Sequence, residues 1–278
     1  MTDVRALLAQ MRAALPADEA AREAEILVAH ALGRDRAWLF AHSDDAVAAA
    51  QVDAAMSLAN RRAAGEPIAY LTGRREFWSL QLRVTPDVLI PREDTELLVR
   101  IILQHCPQGR KVDIVDLGTG SGAIALAVAH ERPHARVLAL DASAAALDVA
   151  RGNAQQLGIG NVEFVRSDWF DALAGRRFDA IVSNPPYIAA GDSHLSAGDL
   201  RFEPAQALAS GADGLDAIRH IVRESPAHLR EGGMLAVEHG FEQGAAVRGL
   251  LKKNGFVEIY TERDLEGRER VSGGFIRR

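Results

Sequence analysis

The sequence is poor in cysteine and has no long hydrophobic run. Its single cysteine, Cys106, cannot form an internal disulfide, so we expect the chain to work in a reducing compartment. No apolar stretch reaches the roughly 18 residues that a membrane-spanning helix requires. The first residues are polar and amphipathic, which is not typical of a signal peptide. These absences predict a cytoplasmic protein that has no membrane partner.

Positive charge is also limited. The 32 Lys and Arg residues are outnumbered by 38 Asp and Glu residues, which gives a formal net charge of −6. Proteins that bind nucleic-acid backbones are usually basic, so we expect no direct nucleic-acid partner. The length of 278 residues and the hydrophobic content of 48% are typical of a globular chain with one large domain or two ordinary ones.

Residues 1–73 form an Ala-rich segment with helical periodicity. The pattern predicts helices over residues 2–15, 18–32 and 45–64. Pro16 would stop the first helix, and Gly33 and Gly65 would end the other two. This small helical bundle carries no catalytic constellation. We therefore interpret it as a packing or docking module.

The pattern changes at residue 74, where a β-hairpin is expected to link the bundle to the rest of the chain. Apolar and polar residues alternate over 80–84, which is the period of a half-buried strand. A turn at residues 85–87 would let residues 88–90 pair back onto that strand. We therefore predict a hairpin linker over residues 74–93, followed by a second domain over residues 94–278.

The second domain alternates short apolar runs with helical stretches. Such alternation predicts an α/β fold with a mostly parallel sheet and helices on both faces. The last two of its seven runs are candidates for an antiparallel pair. Polar residues end four of the runs, namely Asp116, Asp141, Asp168 and Asn184. Because ligands bind beyond the carboxyl ends of parallel strands, these four side chains should face one crevice.

A glycine-rich loop follows the first run, in the stretch DLGTGSGAIALAVA. Gly118, Gly120 and Gly122 would let the backbone turn sharply and approach a ligand closely. The helix that follows offers free N–H groups at its start. Residues 118–123 also fit the dinucleotide pattern G-x-G-x-x-A, and Asp141, about 20 residues further on, suits a ribose diol. The loop predicts a nucleoside cofactor without distinguishing NAD from S-adenosylmethionine.

The stretch SNPPYI, residues 183–188, indicates the chemistry. Its two prolines end the preceding strand and stiffen the backbone. The side chain of Asn184 and the carbonyl of Pro185 offer two acceptors for the N–H groups of one planar –NH₂ group. Tyr187 would stack on that group. Holding such a nitrogen against a methyl donor relies on proximity and electrostatics rather than on a strong base.

Two further features bear on ligand binding. Trp169 could stack on an adenine ring or be an ordinary core residue, and its place at the end of the third run, in register with the glycine loop and Asp141, favours ligand binding. The stretch HERPH, residues 130–134, matches the zinc-binding pattern H-E-x-x-H. Pro133 would interrupt the helix that this pattern needs, so we expect no metal site.

On these residues the chain resembles the release factor glutamine methyltransferases over nearly its whole length. The resemblance is carried by GRREFWSLQLRVTPDVLIPREDTELLV, the glycine loop, SNPPYI, FEPAQAL with GADGLD, and RDLEGRERVSGG. It implies a Rossmann-like class I methyltransferase sheet that uses S-adenosylmethionine and releases S-adenosylhomocysteine. The substrate it implies is the glutamine of the Gly-Gly-Gln motif in class 1 peptide chain release factors.

The resemblance also implies roles for individual residues. Its cofactor-binding residues would be Gly118, Thr119, Gly120, Ser121, Gly122, Asp141, Trp169 and Asn184. The segment Asn184, Pro185, Pro186 and Tyr187 would hold the substrate glutamine, with Asn184, Pro185 and Tyr187 as catalytic residues. Residues 1–73 would dock the release factor, and the protein is expected to be a monomer.

Three other functions remain open from the sequence. The chain could methylate a glutamine of a ribosomal protein. It could be an adenine-N6 methyltransferase, because these enzymes share Asn-Pro-Pro-Tyr, although the acidic net charge and the lack of a long target-recognition insertion argue against this. It could also be a non-catalytic module that binds the cofactor and docks translation factors. A fourth hypothesis, NAD-dependent oxidoreduction, has less support, since that chemistry does not require Asn-Pro-Pro-Tyr.

Overall fold

The computed structural model describes residues 2–16 and 18–277. The chain divides into two compact units, Met1–Arg74 and Arg75–Arg278. Within the described residues, no helix is both long enough and apolar enough to cross a bilayer.

The first unit is a bundle of short helices. They are α1 (Val4–Ala14), α2 (Ala20–Leu32), α3 (Arg36–Ala41), α4 (Ala49–Ala63) and α5 (Ile68–Thr72). Asp3 caps α1 by accepting a hydrogen bond from the Ala6 N–H at 2.7 Å. Gly33 ends α2 in the left-handed conformation, with φ of 63°. The three predicted helices are present, whereas α3 and α5 are too short to show a periodic pattern in the sequence.

The hairpin is present, but its predicted pairing is wrong. Strand β2 (Leu80–Arg83) pairs with β1 (Arg74–Phe77), which precedes it, and not with residues 88–90. Trp78 and Ser79 make the turn, with φ of 52° and 58°. Two left-handed residues suit a tight hairpin, but glycine or asparagine usually occupies such positions, so the sequence contained no turn signal here. The hairpin packs its apolar face, including Phe77 and Leu82, into the core of the second unit.

The described residues of the second unit form a seven-stranded sheet in the order β5-β4-β3-β6-β7-β9-β8. The strands are β3 (Asp113–Leu117), β4 (Arg136–Asp141), β5 (Val162–Arg166), β6 (Phe178–Ser183), β7 (Leu229–Glu238), β8 (Val257–Arg263) and β9 (Glu269–Phe275). Strands β3 to β7 pair in parallel, and β9 runs antiparallel to both β7 and β8. The predicted mostly parallel sheet with a final antiparallel pair is confirmed.

Helices cover both faces of this sheet. They are α6 (Glu96–His105), α7 (Ala123–Glu131), α8 (Ala144–Leu157), α9 (Asp216–His228) and α10 (Gly244–Lys253). Two apolar clusters result, one containing residues of α6 and α7 and the other containing residues of α9 and α10. The alternating side chains of the strands between them supply both clusters, which explains why the central strands β3, β4 and β6 are almost wholly buried.

The strand order places a crevice at the centre of the sheet. Strand β3 pairs with β4 on one side and with β6 on the other, so the connections leave β3 in opposite directions. The register sets Leu117 beside Leu140 and also beside Ser183. The residues that follow these strand ends therefore meet at one edge, which is where ligands bind in sheets of this kind.

Candidate active site

A cavity of about 310 Å³ opens at this edge of the sheet. The predicted site residues that line it are Gly118, Thr119, Gly120, Ser121, Asp141, Trp169, Asn184, Pro185 and Pro186. Asp168, predicted to face the same crevice, lines it too. Gly122 and Tyr187, although both are described in the structure, lie outside this lining. Asp116, also predicted to face the crevice, lies outside it too, because it is fully buried where its Oδ2 accepts the Thr119 hydroxyl at 2.7 Å. The fold thus brings together residues from the ends of four different strands.

The glycine loop turns tightly between β3 and α7. Gly118 and Gly120 have φ of 72° and 54°, a region that glycine enters without strain. The Thr119 N–H donates to the Leu140 carbonyl at 2.8 Å, which ties the loop to the neighbouring strand. A Cβ atom on Gly118 would lie 3.8 Å from the Trp169 ring, on the cavity wall. The missing side chains therefore leave room for a ligand against the loop backbone.

Gly122 has a packing role in this structure. Its φ is 84°, and a Cβ atom there would lie 3.0 Å from Leu126 Cδ1 and 3.2 Å from Ala150 Cβ. Ala150 belongs to α8, so the glycine allows the start of α7 to approach that helix closely. The expected contact between Gly122 and the cofactor stays a prediction.

Asp141, the last residue of β4, is held in place by backbone donors. Its Oδ2 accepts the Gly120 N–H at 2.9 Å, and its Oδ1 accepts the Ser143 N–H at 2.9 Å. Burial raises the pKa of the Asp141 carboxyl, and these hydrogen bonds oppose the rise. A carboxylate oxygen has two lone pairs, so each oxygen keeps acceptor capacity for a ligand hydroxyl.

Trp169, which also lines the cavity, adopts an unusual backbone conformation with φ of 46°. A non-glycine residue in this region is uncommon and is held by its surroundings. Here the Ser167 hydroxyl donates to the Trp169 carbonyl at 2.9 Å. The indole ring is thereby turned towards Gly118, where a flat ligand group would meet it.

Asn184 follows β6, and its side chain is oriented by a residue from a distant segment. Its Nδ2 donates to the Thr95 Oγ1 at 3.0 Å. Thr95 is buried, lies in the 3₁₀ turn Glu93–Thr95 before α6, and also lines the cavity. With the amide nitrogen engaged in this way, the amide oxygen is the group with acceptor capacity for a ligand.

Tyr187 points away from the cavity lining. Its hydroxyl donates to Glu238 Oε1 at 3.2 Å, and its ring packs against the core that contains α9 and α10. Burial and the nearby charge of Glu238 raise the pKa of Tyr187, so the hydroxyl stays protonated and remains a donor. The Tyr187 carbonyl accepts the Gln243 side-chain amide at 3.0 Å. Tyr187 anchors the end of the Asn184–Tyr187 segment, and its stacking on substrate stays a prediction.

Glu203 joins two segments of the cavity wall. Its buried carboxylate accepts the Ile90 N–H at 2.9 Å and forms an ion pair with Arg92. Burial raises the pKa of Glu203, and the charge of Arg92 opposes the rise. Arg92 and Pro204 both line the cavity, so this carboxylate links the wall before α6 to the wall formed after β6.

Three residues that shape the site, Thr95, Glu203 and Glu238, are not among the site residues predicted from the sequence. Thr95 and Glu203 lie in segments that carried the family resemblance, but a single hydroxyl or carboxylate in a loop usually indicates a solvated surface. Glu238 ends the apolar run of β7, in the same way that Asp141 ends β4. A carboxylate at the end of an apolar run was therefore the sequence signal that could have identified Glu238.

The stretch HERPH lies at the end of α7. His130 is in the last turn of the helix, which ends at Glu131, and Pro133 and His134 follow it. Across residues 2–16 and 18–277, no group of three or more His, Cys, Asp or Glu side chains could hold a metal ion.

Comparison with known proteins agrees with this architecture. Residues 93–211 match the family model for the methyltransferase small domain, and residues 6–73 match the model for the PrmC N-terminal domain. Among solved structures, a methyltransferase from Pyrococcus furiosus covers 79% of this chain and 99% of its own, with a TM-score of 0.55 and 20% identity. The hMettl16 catalytic domain bound to an RNA hairpin covers 78% of this chain and 80% of its own, with a TM-score of 0.59 and 14% identity. At such low identity, these structures show the methyltransferase fold and nothing finer.

Sequence relatives are much closer. The chain is 56% identical over 252 residues to the release factor glutamine methyltransferase of Xylella fastidiosa, covering 91% of this chain and 92% of the relative. It is 51% identical over 275 residues to that of Burkholderia pseudomallei, covering 97% and 96%. It is 48% identical over 253 residues to that of Escherichia coli, covering 91% of each. The chain therefore belongs to the family of the release factor glutamine methyltransferases.

Proposed function

We propose that this chain transfers the methyl group of S-adenosylmethionine to the side-chain amide nitrogen of a glutamine, the one in the Gly-Gly-Gln motif of class 1 peptide chain release factors. One observation carries the proposal. Asn184 and Pro185 lie on the wall of the same cavity as the glycine loop and Asp141, in a chain of this family. The acceptors for an amide and the site for a nucleoside are thus adjacent.

The residues of the cavity fit S-adenosylmethionine. Asp141 offers oriented acceptor capacity for the two ribose hydroxyls, and the Trp169 ring offers a flat face for adenine. The side-chain-free surface at Gly118 and Gly120 lets the loop backbone come close to a bound molecule. When bound, this group supplies a methyl carried on a positively charged sulfur, which makes the methyl electrophilic.

The segment formed by residues 184–187 would hold the nucleophile, which is the amide nitrogen of the substrate glutamine. The Asn184 amide oxygen and the Pro185 carbonyl would accept the two N–H groups of the substrate glutamine. Its nitrogen is then held in one orientation, and its lone pair is directed at the methyl group. Positioning of this kind contributes most of the catalysis, since a neutral amide needs no base before it attacks. As the new N–C bond forms, the bond between the methyl carbon and sulfur would break, which leaves S-adenosylhomocysteine as the neutral product. The surplus N–H proton would then pass from the nitrogen to solvent water.

The first unit is proposed to dock the protein substrate. All residues that line the cavity belong to the second unit, so the helical unit is not needed to form the cofactor site. Among the described residues of this unit, Phe40 is the large apolar residue that is exposed, at 63%. We propose that this part of the helical unit contacts the release factor and that the active species is a monomer.

The test is a methylation assay with the purified chain, a purified class 1 release factor and isotope-labelled S-adenosylmethionine. We expect mass spectrometry to place one labelled methyl group on the glutamine of the Gly-Gly-Gln motif. A release factor with glutamate at that position is the matched control and should stay unlabelled. An unlabelled release factor, together with label on ribosomal proteins or nucleic acid supplied in parallel reactions, would refute the proposal.

An Asn184→Ala variant tests the proposed role of the segment in the same assay. Turnover should fall by about 100-fold or more, because misplacing a reacting atom by about 1 Å costs that much. Affinity for S-adenosylmethionine should fall much less than turnover, since the glycine loop and Asp141 are unchanged. Turnover at the parental rate by a folded variant would contradict the role of Asn184.

A further inference from the structure

Glu238 is a buried acid that the proposed chemistry does not use directly. It ends β7, and the residue is 1% exposed. Its Oε1 accepts the Tyr187 hydroxyl at 3.2 Å. Within residues 2–16 and 18–277, its Oε2 has no hydrogen-bond partner. Tyr187 closes the segment that begins with Asn184, so Glu238 lies directly behind the substrate-holding part of the cavity wall.

A buried positive charge accompanies this acid. Arg270, from β9, is 8% exposed, and its Nη2 contacts Asp264 Oδ2 at 3.1 Å and Asp94 Oδ2 at 3.3 Å. Its Nε, like Glu238 Oε2, has no hydrogen-bond partner among the described residues. Tyr187, Thr95, Asp94 and Arg270 are the groups whose charge or hydrogen bonding acts on the Glu238 carboxyl.

Such an arrangement is costly for stability. A buried carboxylate with incomplete hydrogen bonding destabilises a fold, and apolar replacements of buried ion pairs are often neutral or stabilising. Each such group in a native protein calls for an explanation. The direct contact with Tyr187 points to the substrate-holding segment.

We propose that ionised Glu238 is a positioning residue for the methyl transfer, which fixes the Asn184–Tyr187 segment through its hydrogen bond with the Tyr187 hydroxyl. The inference rests on the proposed function, because it assigns to Glu238 the support of the segment that holds the substrate amide. A hydrogen bond to an ionised acceptor is roughly twice as strong as one between neutral groups. The charged form of Glu238 therefore holds Tyr187 more firmly than the neutral form does.

Because Glu238 must be charged to hold Tyr187 firmly, methyl transfer should depend on pH. Burial raises the pKa of Glu238 to about 7, against the opposing effects of the Thr95 hydroxyl and the Arg270 charge. The carboxylate is then mostly charged above pH 7 and mostly neutral below it. Tyr187 does not titrate in this range, because its own pKa is raised. Turnover should fall as the pH drops through about 7.

The experiment uses the full-length chain and its release factor, with kcat and KM measured from pH 6 to pH 9 for the parent and four variants. Glu238→Gln keeps the shape and the acceptor but removes the charge, and Tyr187→Phe removes the hydroxyl. The double variant tests whether the two residues act as one unit. Glu131→Gln is the matched control, because this glutamate accepts a hydrogen bond from Trp78 at the end of α7, outside the proposed machinery.

We expect kcat of Glu238→Gln to be roughly 10-fold below the parent at pH 8.5, which corresponds to about 1.4 kcal/mol. Its activity should no longer change around pH 7 and should match the low-pH level of the parent. Tyr187→Phe should show a similar loss of kcat. The kcat of the double variant should be no lower than that of the less active single variant. The affinity for S-adenosylmethionine, measured by calorimetry, should stay at the parental value throughout.

Parental kcat for Glu238→Gln at pH 8.5 would overturn the inference, and so would losses that add in the double variant. If the affinity for S-adenosylmethionine fell together with kcat, Glu238 would stabilise the fold in general, and the proposed positioning role would be wrong. If Glu238→Gln fails to fold, Tyr187→Phe decides, because parental kcat for this variant excludes the role. A parental chain that methylates no release factor would refute the proposed function and this inference together.

Discussion

The side-chain amide of Asn184 donates a hydrogen bond to the hydroxyl of Thr95 at 3.0 Å, across a sequence separation of 89 residues. Both residues line the same cavity. The bond selects one of the two amide orientations of Asn184, with the nitrogen towards Thr95. The turn before α6 thus controls how the proposed substrate-holding amide is presented.

Thr95→Val should lower turnover while leaving the cofactor affinity nearly unchanged. Valine keeps the shape of threonine but cannot accept the Asn184 N–H, and an unpaired buried donor costs about 1–3 kcal/mol. Without this acceptor, the Asn184 amide should occupy its productive orientation less often, so kcat should drop by roughly 10-fold. Thr95→Ser is the matched control, because it keeps the hydroxyl and should retain most of the activity. Equal kcat values for the valine and serine variants would show that the hydroxyl has no part in orienting Asn184.

Asp141→Ala should weaken the binding of S-adenosylmethionine by about 10- to 100-fold, because hydrogen bonds to a charged acceptor contribute about 1.5–3 kcal/mol. Isothermal titration calorimetry measures this change directly. The control is Asp148→Ala on α8, where an exposed carboxylate pairs with Arg151 at 3.0 Å. The control should bind the cofactor as the parent does. Unchanged affinity in a folded Asp141→Ala variant would remove this residue from the cofactor site.

Gly122→Ala should destabilise the second unit by about 3 kcal/mol, since a left-handed φ and an overpacked Cβ each cost roughly 1–3 kcal/mol. The neighbours are Leu126 Cδ1 at 3.0 Å and Ala150 Cβ at 3.2 Å. Gly158, at the end of α8, is the matched control, with φ of 68° and no atom within 4 Å of a Cβ there. Gly158→Ala should therefore cost only about 1 kcal/mol. Urea denaturation measures the free energy of unfolding of both variants. Equal losses of stability would mean that the packing of α7 against α8 does not depend on the absence of a side chain at residue 122.

Phe40→Ser tests the proposed docking role of the helical unit. The ring is 63% exposed, so its removal should cost little stability. We expect KM for the release factor to rise several-fold, while kcat at saturation and the cofactor affinity stay near the parental values. Ala37→Ser, at an exposed position of the same helix, is the control. An unchanged KM for Phe40→Ser would place the docking surface elsewhere on the protein.

Local patterns in the sequence predicted most of the second unit. Period-2 and continuous apolar runs located the strands, and the spacing of Gly118, Gly120 and Gly122 located the loop after β3. Proline at positions 185 and 186 marked the end of β6. These features are local, because strand periodicity and backbone freedom depend on residues near one another in the chain. The hairpin pairing was predicted wrongly for the same reason, since Trp78 and Ser79 make a tight turn without the usual turn residues.

The sequence by itself determined how strands and helices follow one another along the chain. It also determined the glycine loop, the polar residues at the strand ends and the motifs that carry the family resemblance. Only the tertiary structure decided which distant side chains meet: Thr95 with Asn184, Glu203 with Arg92, and Glu238 with Tyr187. The physical reason is that these contacts join loops at the ends of separate strands. Strand order and register bring such loops together, and no local pattern encodes either of them.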